Sequence, residues 1–128
     1  MIASPNDTVR LDIMDAVATI TINRPDSLNA INDDVVTALI DITGALLQNA
    51  DVRCVVLTGA GDHFMAGGDV KRFKKRFDEA QDDAETKAWF SSILGRIHIV
   101  VENMNALNVP VVAAVKGAVA GAGFSLML

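Results

Sequence analysis

The chain has 128 residues, 51% of them apolar and 21% charged, enough for one ordinary domain with a modest core and unlike a disordered segment. Its formal charge of −5 argues against general nucleic-acid binding, which needs a basic surface, and no apolar run is long enough to cross a bilayer. The start, MIASPNDTVR, has neither a basic leader nor an apolar signal core, and a lone cysteine, Cys54, excludes a disulfide framework within the chain, so a cytoplasmic, reduced setting is expected.

Val9, Leu11 and Ile13 alternate with polar positions, and Val17–Ile22 (VATITI) is β-branched; Asp15-Ala16 between them predicts a hairpin. Arg24-Pro25 ends the second strand, because proline cannot extend a ladder. A helix is expected from about Asn32, a suitable N-cap with Asp33 and Asp34 behind it, its apolar stripe formed by Val36, Leu39, Ile40, Thr43 and Leu47. The run Cys54–Gly59 (CVVLTG) reads as a strand buried on both faces.

The stretch HFMAGGDV, residues 63–70, then joins a loop to a strongly basic helix. Five basic residues, Lys71, Arg72, Lys74, Lys75 and Arg76, fall within six positions; such a cluster in an acidic chain is either a solvated helix face or a site for a small anionic ligand. Asp69 is best placed as the N-cap of that helix. A longer helix is predicted over residues 84–107, with Trp89, Ile93, Ile97, Val100, Met104 and Leu107 on one face. After Pro110, residues 111–115 form a second buried strand, and Gly121-Ala122-Gly123 follows. Leu126, Met127 and Leu128 read as the beginning of a buried helix, as if the chain were the first half of a larger unit. Strands alternating with helices imply right-handed crossovers and an α/β fold.

Neither glycine cluster is a nucleotide fingerprint: Phe64 stands where the run beginning Gly59-Ala60-Gly61 needs a third glycine, Leu126 where Gly121-Ala122-Gly123 does, and no P-loop lysine follows. His63 and His98 lack metal-ligand spacing, and Ser125, flanked by Phe124 and Leu126, lacks the setting of a nucleophile elbow. Taken together, two strand ends that each expose backbone N–H groups can converge on one carbonyl oxygen as an oxyanion hole. Small residues then leave the carbonyl room to approach.

Four segments carry a family likeness: TINRP with LNAI (residues 21–31), VVLTG (55–59), FMAGGD (64–69) and PVVAAVKGAVAGAG (110–123). In order and spacing the chain resembles the crotonase, or enoyl-CoA hydratase/isomerase, superfamily nearly end to end. The resemblance implies an α/β fold with a crotonase-like ββα-repeat (spiral) core. Residues 1–128 would be the N-terminal portion of one such domain, stopping before its C-terminal helical part. It also implies an acyl-CoA thioester as substrate, an enolate intermediate, a place in fatty acid metabolism, no cofactor beyond the CoA of the substrate, and a homo-oligomer (trimer or hexamer) for the full-length protein. Carried over, the oxyanion-hole donors are the backbone N–H groups of Gly68 and Ala122. CoA contacts fall on Ala30, Ala66, Gly67, Asp69 and Val70, with Lys71 near the phosphates. Asp26 departs from the pattern, standing where many members carry a basic residue.

Ser125 departs further: by the same resemblance it takes the place of the first of the two glutamates that a hydratase uses, and would line the acyl pocket instead. The resemblance then favours an isomerase-type proton shuttle by a single carboxylate further on, ahead of hydration. The rival expectation is a CoA-thioester binding module, or truncated paralogue, without turnover. A plain structural domain, in which both glycine junctions are only turns, is the third.

Overall fold

A computed structural model of the chain describes residues 4–121 and 123. Strands β1 (Val9–Met14) and β2 (Val17–Ile22) form the expected hairpin. Asp15 and Ala16 both take positive φ, 52° and 65°, giving a tight turn whose twist matches that of the strands. Val9 faces Ile22 and Met14 faces Val17 across this antiparallel pair. Pro25–Ser27 then forms a single 3-10 turn, closed by Leu28 and Asn29 in the left-handed region.

Helix α1 (Asp33–Leu46) starts at Asn32, whose side chain accepts the Val35 N–H, and carries Asp33 and Asp34 at the positive end of its dipole. It crosses to β3 (Cys54–Gly59), which lies parallel to β2 with Val17 opposite Cys54. Helices α2 (Val70–Glu79) and α3 (Asp83–Ala106) make the next crossover, to β4 (Val111–Ala114), parallel to β3 with Val55 opposite Val111. The sheet order is β1-β2-β3-β4.

Ala18, Ile20 and Ile22 of β2 and Val55 and Leu57 of β3 meet Val35, Leu39, Ile42 and Leu46 of α1 in one core, with Ile93 and Val100 of α3 packed behind. Fully burying an aliphatic side chain of this size contributes about 1.5–3 kcal/mol, so this layer dominates the stability of the fold. Polar groups fix how α3 lies on α1. Asn103 Nδ2 donates to Thr43 Oγ1 at 3.0 Å, that hydroxyl donates to the Leu39 carbonyl, and Arg96 donates to the Thr37 hydroxyl.

Three expectations need correction. Leu47 is 40% exposed, because α1 ends at Leu46 and the buried face is centred on Leu39 and Ile42. In β3 only Val55, Leu57 and Gly59 are buried, while Cys54, Val56 and Thr58 are half-exposed on the other face. The strand at residues 111–115 is not a buried one: Val111 and Val112 are 39% and 51% exposed, since no described element packs against the outer side of β4.

Candidate functional site: two glycine junctions side by side

Beyond β3 the chain passes through Phe64 and Met65, both fully buried, and becomes extended alongside two other segments. On one side Ile31 bridges to Gly68: the Ile31 N–H donates to the Gly67 carbonyl at 2.7 Å and the Asp69 N–H to the Ile31 carbonyl at 2.9 Å. On the other side Met65 bridges to Val119, with the Met65 N–H on the Ala118 carbonyl and the Ala120 N–H on the Met65 carbonyl. Residues 64–69 are thus an extended segment, bridged on one side to the LNAI segment and on the other to the exit from β4.

In such a bridge the neighbours of Gly68 supply the hydrogen bonds, and the backbone groups of Gly68 turn to the opposite edge. Among the described residues the Gly68 N–H has no acceptor. That edge is where the second junction arrives. A Cβ placed on Gly67 would lie 3.2 Å from the Ala120 carbonyl oxygen and 3.6 Å from Gly121 Cα. Gly67 has φ 100° and Gly121 φ 53°, so at both a side chain is strained, and at Gly67 it is crowded as well. The two glycine clusters, more than fifty positions apart, lie backbone against backbone.

Gly68 is glycine for a different reason. A Cβ there would come 2.5 Å from Phe73 Cε2, because the Phe73 ring lies over the Gly68 α-carbon. Phe73 is held edge-on by Trp89 and Phe90, with ring centroids 5.6 and 5.8 Å away.

Asp69 ties this segment to the rest. It is the N-cap of α2, Oδ1 accepting the Arg72 N–H at 3.0 Å, while Oδ2 accepts from Arg24 at 3.0 Å. Partial burial works against its ionisation. The N–H of Arg72, the hydrogen bond and charge of Arg24, and the N–H of Lys71 outweigh that and hold the carboxyl below the usual carboxylate value. Arg24 also donates to the Ala30 carbonyl at 2.6 Å. Asn29, fully buried, accepts the Arg24 N–H and donates to the carbonyls of Ala60 and His63, so the 24–31 turn and the loop before the glycines are locked together.

The family model for enoyl-CoA hydratase/isomerase matches residues 12–128. The chain belongs to the enoyl-CoA hydratase/isomerase family. A short-chain-enoyl-CoA hydratase of Clostridium acetobutylicum is 34% identical over 113 residues, covering 88% of this chain and 40% of that protein. A 1,2-epoxyphenylacetyl-CoA isomerase of Escherichia coli K12 is also 34% identical, over 88% of this chain and 41% of the relative. An enoyl-CoA hydratase structure from Polaromonas sp. JS666 superposes with a TM-score of 0.80 at 32% identity, covering 93% of this chain and 44% of that one. The chain therefore spans less than half the length of these relatives and shares the crotonase fold over that part.

Within this family member the structure brings together Ala30, Ala66, Gly67, Gly68 and Asp69, through the bridge to Ile31 and through the Ala66 N–H, which donates to the Leu28 carbonyl. Val70 and Lys71 follow in the first turn of α2, Val70 74% exposed and Lys71 exposed as well. Ala122 and Ser125 lie outside the described residues.

The basic cluster separates into different environments. Arg72 faces Asp33 at 3.9 Å, Lys74 and Lys75 pair with Asp78 and Glu79 one turn on, and Arg76 lies 5.7 Å from the Trp89 ring centroid. Lys71 has no ion-pair partner among the described residues. His98 pairs with Glu102 on the exposed side of α3, and the described residues contain no metal-binding cluster. Sequence reasoning missed Arg24, Asn29 and His63 as organisers of the site. The NRP and LNAI segments were the available signal for the first two, but which carbonyls they hold depends on chain crossings that no spacing encodes.

Proposed function

We propose that the chain binds an acyl-CoA thioester and holds its carbonyl oxygen between the backbone N–H groups of Gly68 and Ala122. The observation that carries this reading is the Gly68 N–H, without an acceptor among the described residues, on the edge where Gly67 meets Gly121. A backbone donor left unpaired in this way is costly unless a ligand or water takes it. As the α-proton leaves the acyl group, negative charge grows on the thioester oxygen, and a fixed donor aimed there stabilises the enolate by about 3 kcal/mol. The positive end of α2, one residue further on, adds to the same field. Ala30, Ala66, Gly67, Asp69 and Val70 border the CoA, and Lys71, without an ion-pair partner among the described residues, meets its phosphates.

For the reaction we favour isomerisation: a carboxylate takes the proton from C2 of a 3-enoyl thioester and returns it at C4, moving the double bond without loss of atoms. Ser125, in the place of a hydratase glutamate, supports this, because serine does not act as acid or base at neutral pH. The names of the relatives include both chemistries. The full-length protein would act as a homo-oligomer, without a cofactor beyond substrate CoA. Assaying the full-length protein on crotonyl-CoA and on 3-hexenoyl-CoA tests the preference. Faster turnover of the 3-enoyl substrate supports it, and rapid hydration with 3-hexenoyl-CoA untouched refutes it. Binding of butyryl-CoA with neither activity favours the second reading, a thioester-binding module.

A further inference from the structure

In a regular parallel ladder the Ala118 N–H would meet the carbonyl of residue 63. Here the ladder slips by one residue. The Lys116 carbonyl accepts from Phe64, at 2.8 Å, and the His63 carbonyl is turned to the Asn29 amide, also at 2.8 Å. The Ala118 N–H is left to a side chain: His63 Nδ1 accepts it at 2.8 Å. Gly117 makes the approach possible, since its φ is 60° and a Cβ there would run into the Asp62 carbonyl and the imidazole itself.

We propose that His63 is a positioning residue which, through Nδ1 as acceptor, holds the second glycine junction in place against the first. Ala118 is the last residue before the Met65–Val119 bridge, and Gly121 touches Gly67 just beyond it. The imidazole therefore fixes the point from which the second oxyanion donor is aimed; this functional consequence rests on the thioester reading above. Charged residues on the segments around the imidazole are Asp62 on its own loop, Lys116 beyond β4, and Arg24 and Asp26 on the turn that carries Asn29. Arg24 is engaged by Asp69 and Ala30, and none of the four hydrogen-bonds the imidazole among the described residues.

The test compares wild type with His63→Asn, whose Oδ1 stands near the position of Nδ1, and with His63→Leu, which has no acceptor. Amide spectra of the free proteins are followed by butyryl-CoA titrations. In wild type we expect an Nε2–H tautomer and an exchange-protected Ala118 amide. His63→Asn should keep that protection and hold the Gly67 and Gly121 resonances steady, and His63→Leu should displace them and weaken butyryl-CoA binding about tenfold. If His63→Leu does not fold, the wild-type tautomer and the protection of the Ala118 amide decide. An Nδ1–H tautomer, an unprotected Ala118 amide in wild type, or Gly67 and Gly121 signals indifferent to His63→Leu, overturns the proposal. Coupling as expected in a protein that ignores butyryl-CoA supports the positioning role and overturns the thioester reading instead.

Discussion

Arg24 and Asp69, separated by 45 positions in sequence, meet at 3.0 Å, with their side chains only 19% and 14% exposed. One end of this pair grips the Ala30 carbonyl and the other caps α2, so the pair braces the segment that presents Gly68. Ion pairs on open surfaces contribute little, but this one is shielded and hydrogen-bonded at both ends.

Asp69→Ala should therefore cost about 1–2 kcal/mol in a urea melt, the usual loss for an N-cap, and should also weaken butyryl-CoA binding because the Gly68 backbone loses its anchor. Asp69→Asn retains a capping oxygen and should lose less. Unchanged stability and affinity in the alanine variant would remove Asp69 from the site.

The same carboxyl sets a pH dependence. Its folded value is depressed below the reference of 3.8, so its stabilisation is fully present above that value and is lost as pH falls through the lower folded one. The difference in urea midpoint between wild type and Asp69→Asn should be flat from neutral pH down to about 4 and shrink below it. A difference that grows in acid would give the shift the opposite sign.

Gly68→Ala places a methyl group against Phe73 while keeping the N–H. Overpacking of this kind costs about 1–3 kcal/mol. Phe73→Leu in the same chain should return part of that loss, giving a coupling energy of about 1 kcal/mol in a double-mutant cycle. Additive effects would mean that the ring does not set the size limit at Gly68.

Lys71 and Lys74 sit three positions apart on α2, but among the described residues only Lys74 has an ion-pair partner, Asp78. Lys71→Ala should weaken CoA-thioester binding several-fold at low salt, with the difference fading as salt is added, whereas Lys74→Ala should leave it unchanged. Equal effects of the two would return the basic cluster to a solvated helix face.

Much of the fold was legible because it is written locally. Asn32 and Asp69 announce helix starts, Asp15-Ala16 a hairpin, and the spacing from Trp89 to Leu107 one face of a long helix. The exposure of Val111 and Val112 was not legible, because an apolar run reads the same whether or not another element covers it. At the site, the two glycine clusters pointed to a shared role, yet their contact through Gly67 and Gly121 depends on the parallel placement of β3 and β4. His63 read as an ordinary loop residue, since nothing in sequence shows that the ladder slips at that point and leaves Ala118 to an imidazole.

The most direct test of the oxyanion role is the amide spectrum of isotopically labelled protein titrated with butyryl-CoA and, separately, with free CoA. The account predicts that the Gly68 amide proton moves strongly downfield with butyryl-CoA, in step with overall binding, and stays in place with free CoA, which has no thioester carbonyl. A Gly68 signal that does not move when the protein is saturated with butyryl-CoA would contradict it.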